Sequence, residues 1–168
     1  MGTLATVVSV LLAMGIGPFD LSDGDGKADA AAPTGVDPKK QTPESYVQAI
    51  NDVCLARTDT ITQRLNDLKA SLVSHDKVKM KTAMNEASSE LKNTMTRIRA
   101  VPMPADATAA QPYTRWRDAY GARVEAFSEA AAALTAGNDP AFQTTSEKFQ
   151  ADTEPVKEQQ RALNIVCP

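Results

Sequence analysis

Behind Thr42-Pro43-Glu44, apolar residues return every three or four positions: Val47, Ile50, Cys54, Ile61, Leu65, Leu68 and Leu72. That spacing puts them on one face of a helix with 3.6 residues per turn. Thr42 offers an N-cap hydroxyl, Pro43 suits the first helical position, and Glu44 stands near the positive end of the helix dipole. A first helix is therefore predicted from Pro43 to about Ser74. Asp76 is placed to cap a second, carrying Met80, Met84, Ala87, Leu91, Met95 and Ile98 on the same period. Val101-Pro102-Met103-Pro104 ends it, because each proline lacks an N–H and restricts the residue before it. A third stripe comprises Tyr113, Trp116, Tyr120, Val124, Phe127, Ala131 and Leu134, with Gly137 as its stop. Its start is obscured by Pro112. Asp139-Pro140 repeats the cap-plus-proline device before Phe142, Thr145, Phe149, Val156 and Leu163, and this fourth helix should end near Asn164.

No stretch alternates apolar and polar residues between turn signals, so no strand is predicted. Short links favour antiparallel neighbours. The expected fold is all-α: an antiparallel up-down four-helix bundle spanning residues 43–168.

Residues 1–20 read differently. Leu4 to Phe19 carries no charge, and as a helix it would measure about 24 Å at ~1.5 Å per residue. That is shorter than the roughly 30 Å hydrocarbon core of a bilayer. Gly15, Gly17 and Pro18 weaken its far end. The segment is expected to be a signal peptide or a membrane anchor, although no Lys or Arg precedes it as a signal's charged leader would. Small residues suited to cleavage, Ala28 to Ala32, lie well beyond the apolar run. Residues 21–42 are rich in Gly, Ala, Asp and Pro, lack an apolar period, and read as a flexible linker. Within it, Asp23, Asp25 and Gly26 partly match a calcium-binding loop. Leu21 and Ala32 occupy its first and twelfth positions, so two ligands are missing and linker is the better reading.

Charge narrows the functional classes. The 168-residue chain has a net charge of −3, against the clustered excess base that a nucleic-acid binder needs. From residue 42 onward, 15 basic residues face 16 acidic ones, so the predicted bundle is nearly neutral.

The two cysteines, Cys54 and Cys167, fall on different predicted elements. Cys54 lies roughly 16 Å along the first helix. In an up-down bundle the fourth helix ends beside the start of the first. A few extended residues at ~3.3 Å each bring the tail Ile165-Val166-Cys167 back to it. The expected pairing is a Cys54–Cys167 disulfide, and the alternative is two buried thiols. The export-like N-terminus and the even cysteine count favour the disulfide.

Chemistry is sparse. His75 is the only histidine. Di-iron, haem c, zinc and Ser-His-Asp arrangements all need more ligands or partners than it provides, and it falls in a predicted turn. Met80, Met84 and Met95 have the right chemistry for soft metal ligands but the spacing of core residues. Tyr113, Trp116 and Tyr120 form the densest aromatic feature, either packed core or a groove for an apolar ligand or partner helix. Lys77, Lys79 and Lys81 begin the second helix, where the dipole disfavours cations, and are candidates for contact with an anionic surface. Glu86 and Glu90 read as a solvated face.

Taken together, the N-terminal apolar segment, the Ala/Pro/Asp linker, "YVQAINDVC" on the first helix and the closing "ALNIVC" resemble small exported two-cysteine helical proteins of actinobacteria. The resemblance spans about residues 45–168 and implies export and a disulfide-closed bundle. It carries no functional residues. The expectation is a non-enzymatic, exported or membrane-anchored cell-envelope module. It would act by binding, or as an accessory subunit of an envelope complex. Its partner would be an envelope protein or the membrane surface, with no cofactor, no metal and no nucleic acid. The alternative is a carrier holding a small apolar ligand, a lipid or haem, inside the bundle.

Overall fold

The computed structural model describes residues 41–168. The expected signal or anchor, nearly all of the linker and the calcium-like stretch lie outside those residues. Four helices and no strand make up the described part: α1 Pro43–Val73, α2 Lys77–Ala100, α3 Ala107–Ala136 and α4 Asp139–Leu163. None of them is long and apolar enough to cross a membrane.

The helix starts follow from their side chains. Thr42 and Ser45 form a reciprocal cap: the Ser45 N–H donates to Thr42 Oγ1 at 3.2 Å, and the Thr42 N–H donates to Ser45 Oγ at 2.9 Å. Asp76 Oδ1 accepts from the N–H groups of Val78 and Lys79 at 3.1 and 3.0 Å. Asp106 caps α3 through the Ala109 N–H at 2.7 Å. The cap of α4 is Asn138, one residue before the expected Asp139, and it accepts from the Ala141 N–H at 3.2 Å. Asp139 and Pro140 instead occupy the first turn. Pro112 and Pro155 both sit inside helices. Since α3 begins at Ala107, the chain runs through Pro112 rather than starting there.

Three helices end on one backbone device. His75 (φ 54°), Gly137 (φ 71°) and Asn164 (φ 55°) each take the left-handed conformation. In each case the following N–H reaches back to close the last turn: Asp76 to Ser71, Asn138 to Ala133, and Ile165 to Gln160, at 3.0, 2.9 and 2.9 Å. α2 ends differently, at Val101 in extended conformation ahead of Pro102.

The helices pack as a bundle, α1 along α2, α2 along α3 and α3 along α4. Their stripes meet in one core. α1 contributes Tyr46, Ile50, Ile61 and Leu68; α2 contributes Met84, Ala87 and Ile98. Trp116, Tyr120 and Phe127 come from α3, and Phe142, Phe149 and Val156 from α4. Aromatic contacts knit it: Phe127 and Phe149 have ring centroids 5.4 Å apart, Tyr46 and Tyr113 5.1 Å. Across the α1–α2 face, Arg64 pairs with Glu86 at 2.9 Å and Arg57 with Glu90 at 3.7 Å. The two glutamates therefore serve interhelical ion pairs rather than a simply solvated face. No comparably extensive seam joins α1 directly to α4. The tail after Asn164 bridges them.

Candidate functional site

The C-terminal tail is the most heavily anchored non-helical segment among the described residues. After the left-handed turn at Asn164 the chain leaves the α4 axis and crosses to α1. Ile165 is buried in the core. Cys167 is bonded to Cys54, 113 positions away in sequence, with Cα atoms 5.0 Å apart, inside the span that disulfides adopt. Three polar side chains hold the tail backbone. Asn51 Nδ2 donates to the Asn164 carbonyl at 3.1 Å, while Asn51 Oδ1 accepts from the Val166 N–H at 2.8 Å. Gln160 Nε2 donates to the Cys167 carbonyl at 3.1 Å, and Arg123 Nη1 to the Pro168 carbonyl at 3.3 Å.

Arg123 is unusual in being a buried arginine. Its guanidinium lies 5.2 Å from the Phe149 ring centroid and 5.8 Å from that of Tyr120, within cation–π range. Burial lowers its pKa, an effect opposed by the Tyr120 phenol and by Glu154. Among the described residues no Asp or Glu side chain pairs with it; its close polar partner is the Pro168 oxygen at 3.3 Å.

The aromatic trio divides. Trp116 and Tyr120 are wholly buried and stack at 5.6 Å between centroids, whereas Tyr113 is half-buried against Tyr46. Two of the three are thus out of reach of a surface partner, because the stripe that carries them is the one α3 turns toward the core. Burial pushes the Tyr46 phenol up to about 12 and raises Tyr120 and Tyr113 as well.

Near the Tyr113 end of α3 lies a half-open groove of about 270 Å³ lined by Pro112, Arg115, Gln159, Ala162 and Leu163. A carried lipid or haem calls for roughly 300–1,000 Å³ of enclosing cleft. Met80, Met84 and Met95 are buried in the core. Among the described residues no group of three or more His, Cys, Asp or Glu side chains is arranged to hold a metal ion.

The lysines sit at the other end of α3. Lys77 and Lys79 are exposed. Lys79 Nζ approaches Asp76 at 3.5 Å. Lys81 turns aside and donates to the Thr135 carbonyl at 3.1 Å, in the last turn of α3. His75 is exposed in the α1–α2 turn, where its backbone, rather than its imidazole, makes the structural contribution.

No known protein family, curated protein or solved structure matches this chain.

Sequence reasoning located both cysteines and the fold-back of the tail. It missed Asn51, Arg123 and Gln160, whose partners on the tail are fixed only by the tertiary fold.

Proposed function

We propose that this protein is a non-enzymatic, exported or membrane-anchored module of the cell envelope. It acts by binding, or as an accessory subunit of an envelope complex. The observation that carries the reading is the Cys54–Cys167 disulfide, set in a tail that Asn51, Gln160 and Arg123 also hold. Such bonds persist in oxidising compartments and are rare in the cytosol. The uncharged run from Leu4 to Phe19 supports the same reading, as does the resemblance to exported two-cysteine helical proteins.

The helix order belongs to the proposal too: an up-down antiparallel bundle. Arg64–Glu86 and Arg57–Glu90 support it, because the partner number on α2 rises as that on α1 falls. Phe127–Phe149 about the α3–α4 turn and Lys81–Thr135 between α2 and α3 fit the same order. In this arrangement the tail closes the open α1–α4 side.

Two measurements test the function. Residues 1–40 fused to alkaline phosphatase, an enzyme active only after export, should give active fusions, and inactive fusions would contradict export. Native mass spectrometry of the exported protein should return the polypeptide mass alone. A stoichiometric small molecule would replace the binding module with a ligand carrier.

A further inference from the structure

The end of the bundle formed by the α1–α2 turn carries side chains that the fold does not use. Val73 and Val78 are 76% and 75% exposed. Single exposed apolar residues are commonplace, but these two bracket one short turn, Val73 closing α1 and Val78 in the first turn of α2. Lys77 and Lys79 share that first turn, where the positive end of the helix dipole makes a cation unfavourable. Lys69 lies one turn before Val73. Lys69 and Lys77 are exposed and, among the described residues, make no hydrogen bond or ion pair. The acids nearby are committed. Asp76 caps α2, and its carboxyl is held below the usual range chiefly by the Lys79 backbone N–H. Asp67 pairs with Arg64, and Asp139 is also engaged.

We propose that this tip rests on an anionic lipid bilayer, with Val73 and Val78 entering the headgroup region and Lys69 and Lys77 meeting lipid phosphates. Apolar side chains ringed by lysines, whose long stems let the charge reach phosphate while the chain lies on apolar surface, are the chemistry of an interfacial contact. Charge complementarity selects the lipid over a second copy of this nearly neutral chain. Lys81 is not part of the contact, since it is spent on the end of α3. The inference deepens the envelope reading and rests on it.

The test uses the full chain, methyl-labelled at valine, in lipid nanodiscs doped with a gadolinium-chelating lipid. With phosphatidylglycerol present, the Val73 and Val78 signals should broaden beyond those of Val101 and Val166, and salt should reverse this. In discs of phosphatidylcholine alone they should stay sharp. Lys69→Gln with Lys77→Gln should weaken the contact by about 25-fold, each lysine near such a surface being worth roughly fivefold. Val73→Ser should weaken the broadening at Val78, and Val78→Ser that at Val73, both positions being exposed and outside the core. Sharp Val73 and Val78 signals in a disc-bound chain overturn the tip contact and leave the envelope reading standing. A chain that binds neither disc and fractionates with the cytosol overturns both. A doubled mass in ultracentrifugation with the two valines protected assigns the patch to a second copy and overturns the lipid proposal.

Discussion

Asn51 Oδ1 accepts the backbone N–H of Val166 at 2.8 Å, across 115 residues of sequence. The same side chain donates to Asn164, so one amide binds the tail as a neighbouring strand would. Asn51→Ala should remove both bonds and lower stability by about 1–3 kcal/mol, since each net hydrogen bond is worth about 0.5–1.5 kcal/mol. Asn51→Asp keeps the acceptor for Val166 but faces the Asn164 carbonyl with negative charge. It should fall at least as far. Urea unfolding of the oxidised protein checks both.

The disulfide should matter more than any of these bonds. It joins positions 113 residues apart, for which the chain-entropy relation gives about 4–5 kcal/mol. Cys54→Ser with Cys167→Ser should shift the urea midpoint accordingly. Reducing the native protein should reproduce that shift, while reducing the double variant should change nothing.

The helix stops make an opposed pair. His75 holds a positive φ that side chains resist. His75→Gly should therefore stabilise by about 0.5–1 kcal/mol once glycine's extra freedom in the unfolded chain is set against the relieved strain. Gly137 has the same backbone with open space around it. Gly137→Ala should destabilise by about 1 kcal/mol through backbone conformation alone. Thermal unfolding of the two variants should move in opposite directions.

Alkaline pH should unfold the protein through its tyrosines. Burial raises Tyr46 to about 12 and also raises Tyr120, against an ordinary value of 10.0. Because the folded state disfavours the phenolate, the stability linked to Tyr46 is fully present below pH 10 and is lost as pH climbs toward 12. Absorbance at 295 nm should show little ionisation of Tyr46 and Tyr120 until unfolding begins. Ordinary titration of all three phenols near pH 10, with the helices intact, would contradict their burial.

Much of the fold was legible because helix signals are local. Thr42-Pro43 and Asp76 act through side chains two or three residues from their partners, and the stripes of α1 and α2 bury as their period indicates. Pro112 misled at the start of α3 because a proline is an equally strong sign of a helix beginning or interruption. The true cap, Asp106, stands ahead of an Ala/Thr stretch with no apolar period to mark it. The aromatic stripe was visible, but periodicity alone does not separate the buried Trp116 and Tyr120 from the half-buried Tyr113. Arg123 and Asn51 were invisible as anchors: charge and polarity suggest surface, and their partners on the tail lie 45 and more than 110 residues away.

The Cys54–Cys167 bond that clips the helical bundle is the observation on which the proposed envelope location rests. Its most direct test is to quench intact cells with acid, alkylate the denatured protein before and after reduction, and weigh the full chain. The full chain should carry no alkyl group before reduction and two after it. Two alkyl groups added before any reductant would contradict it.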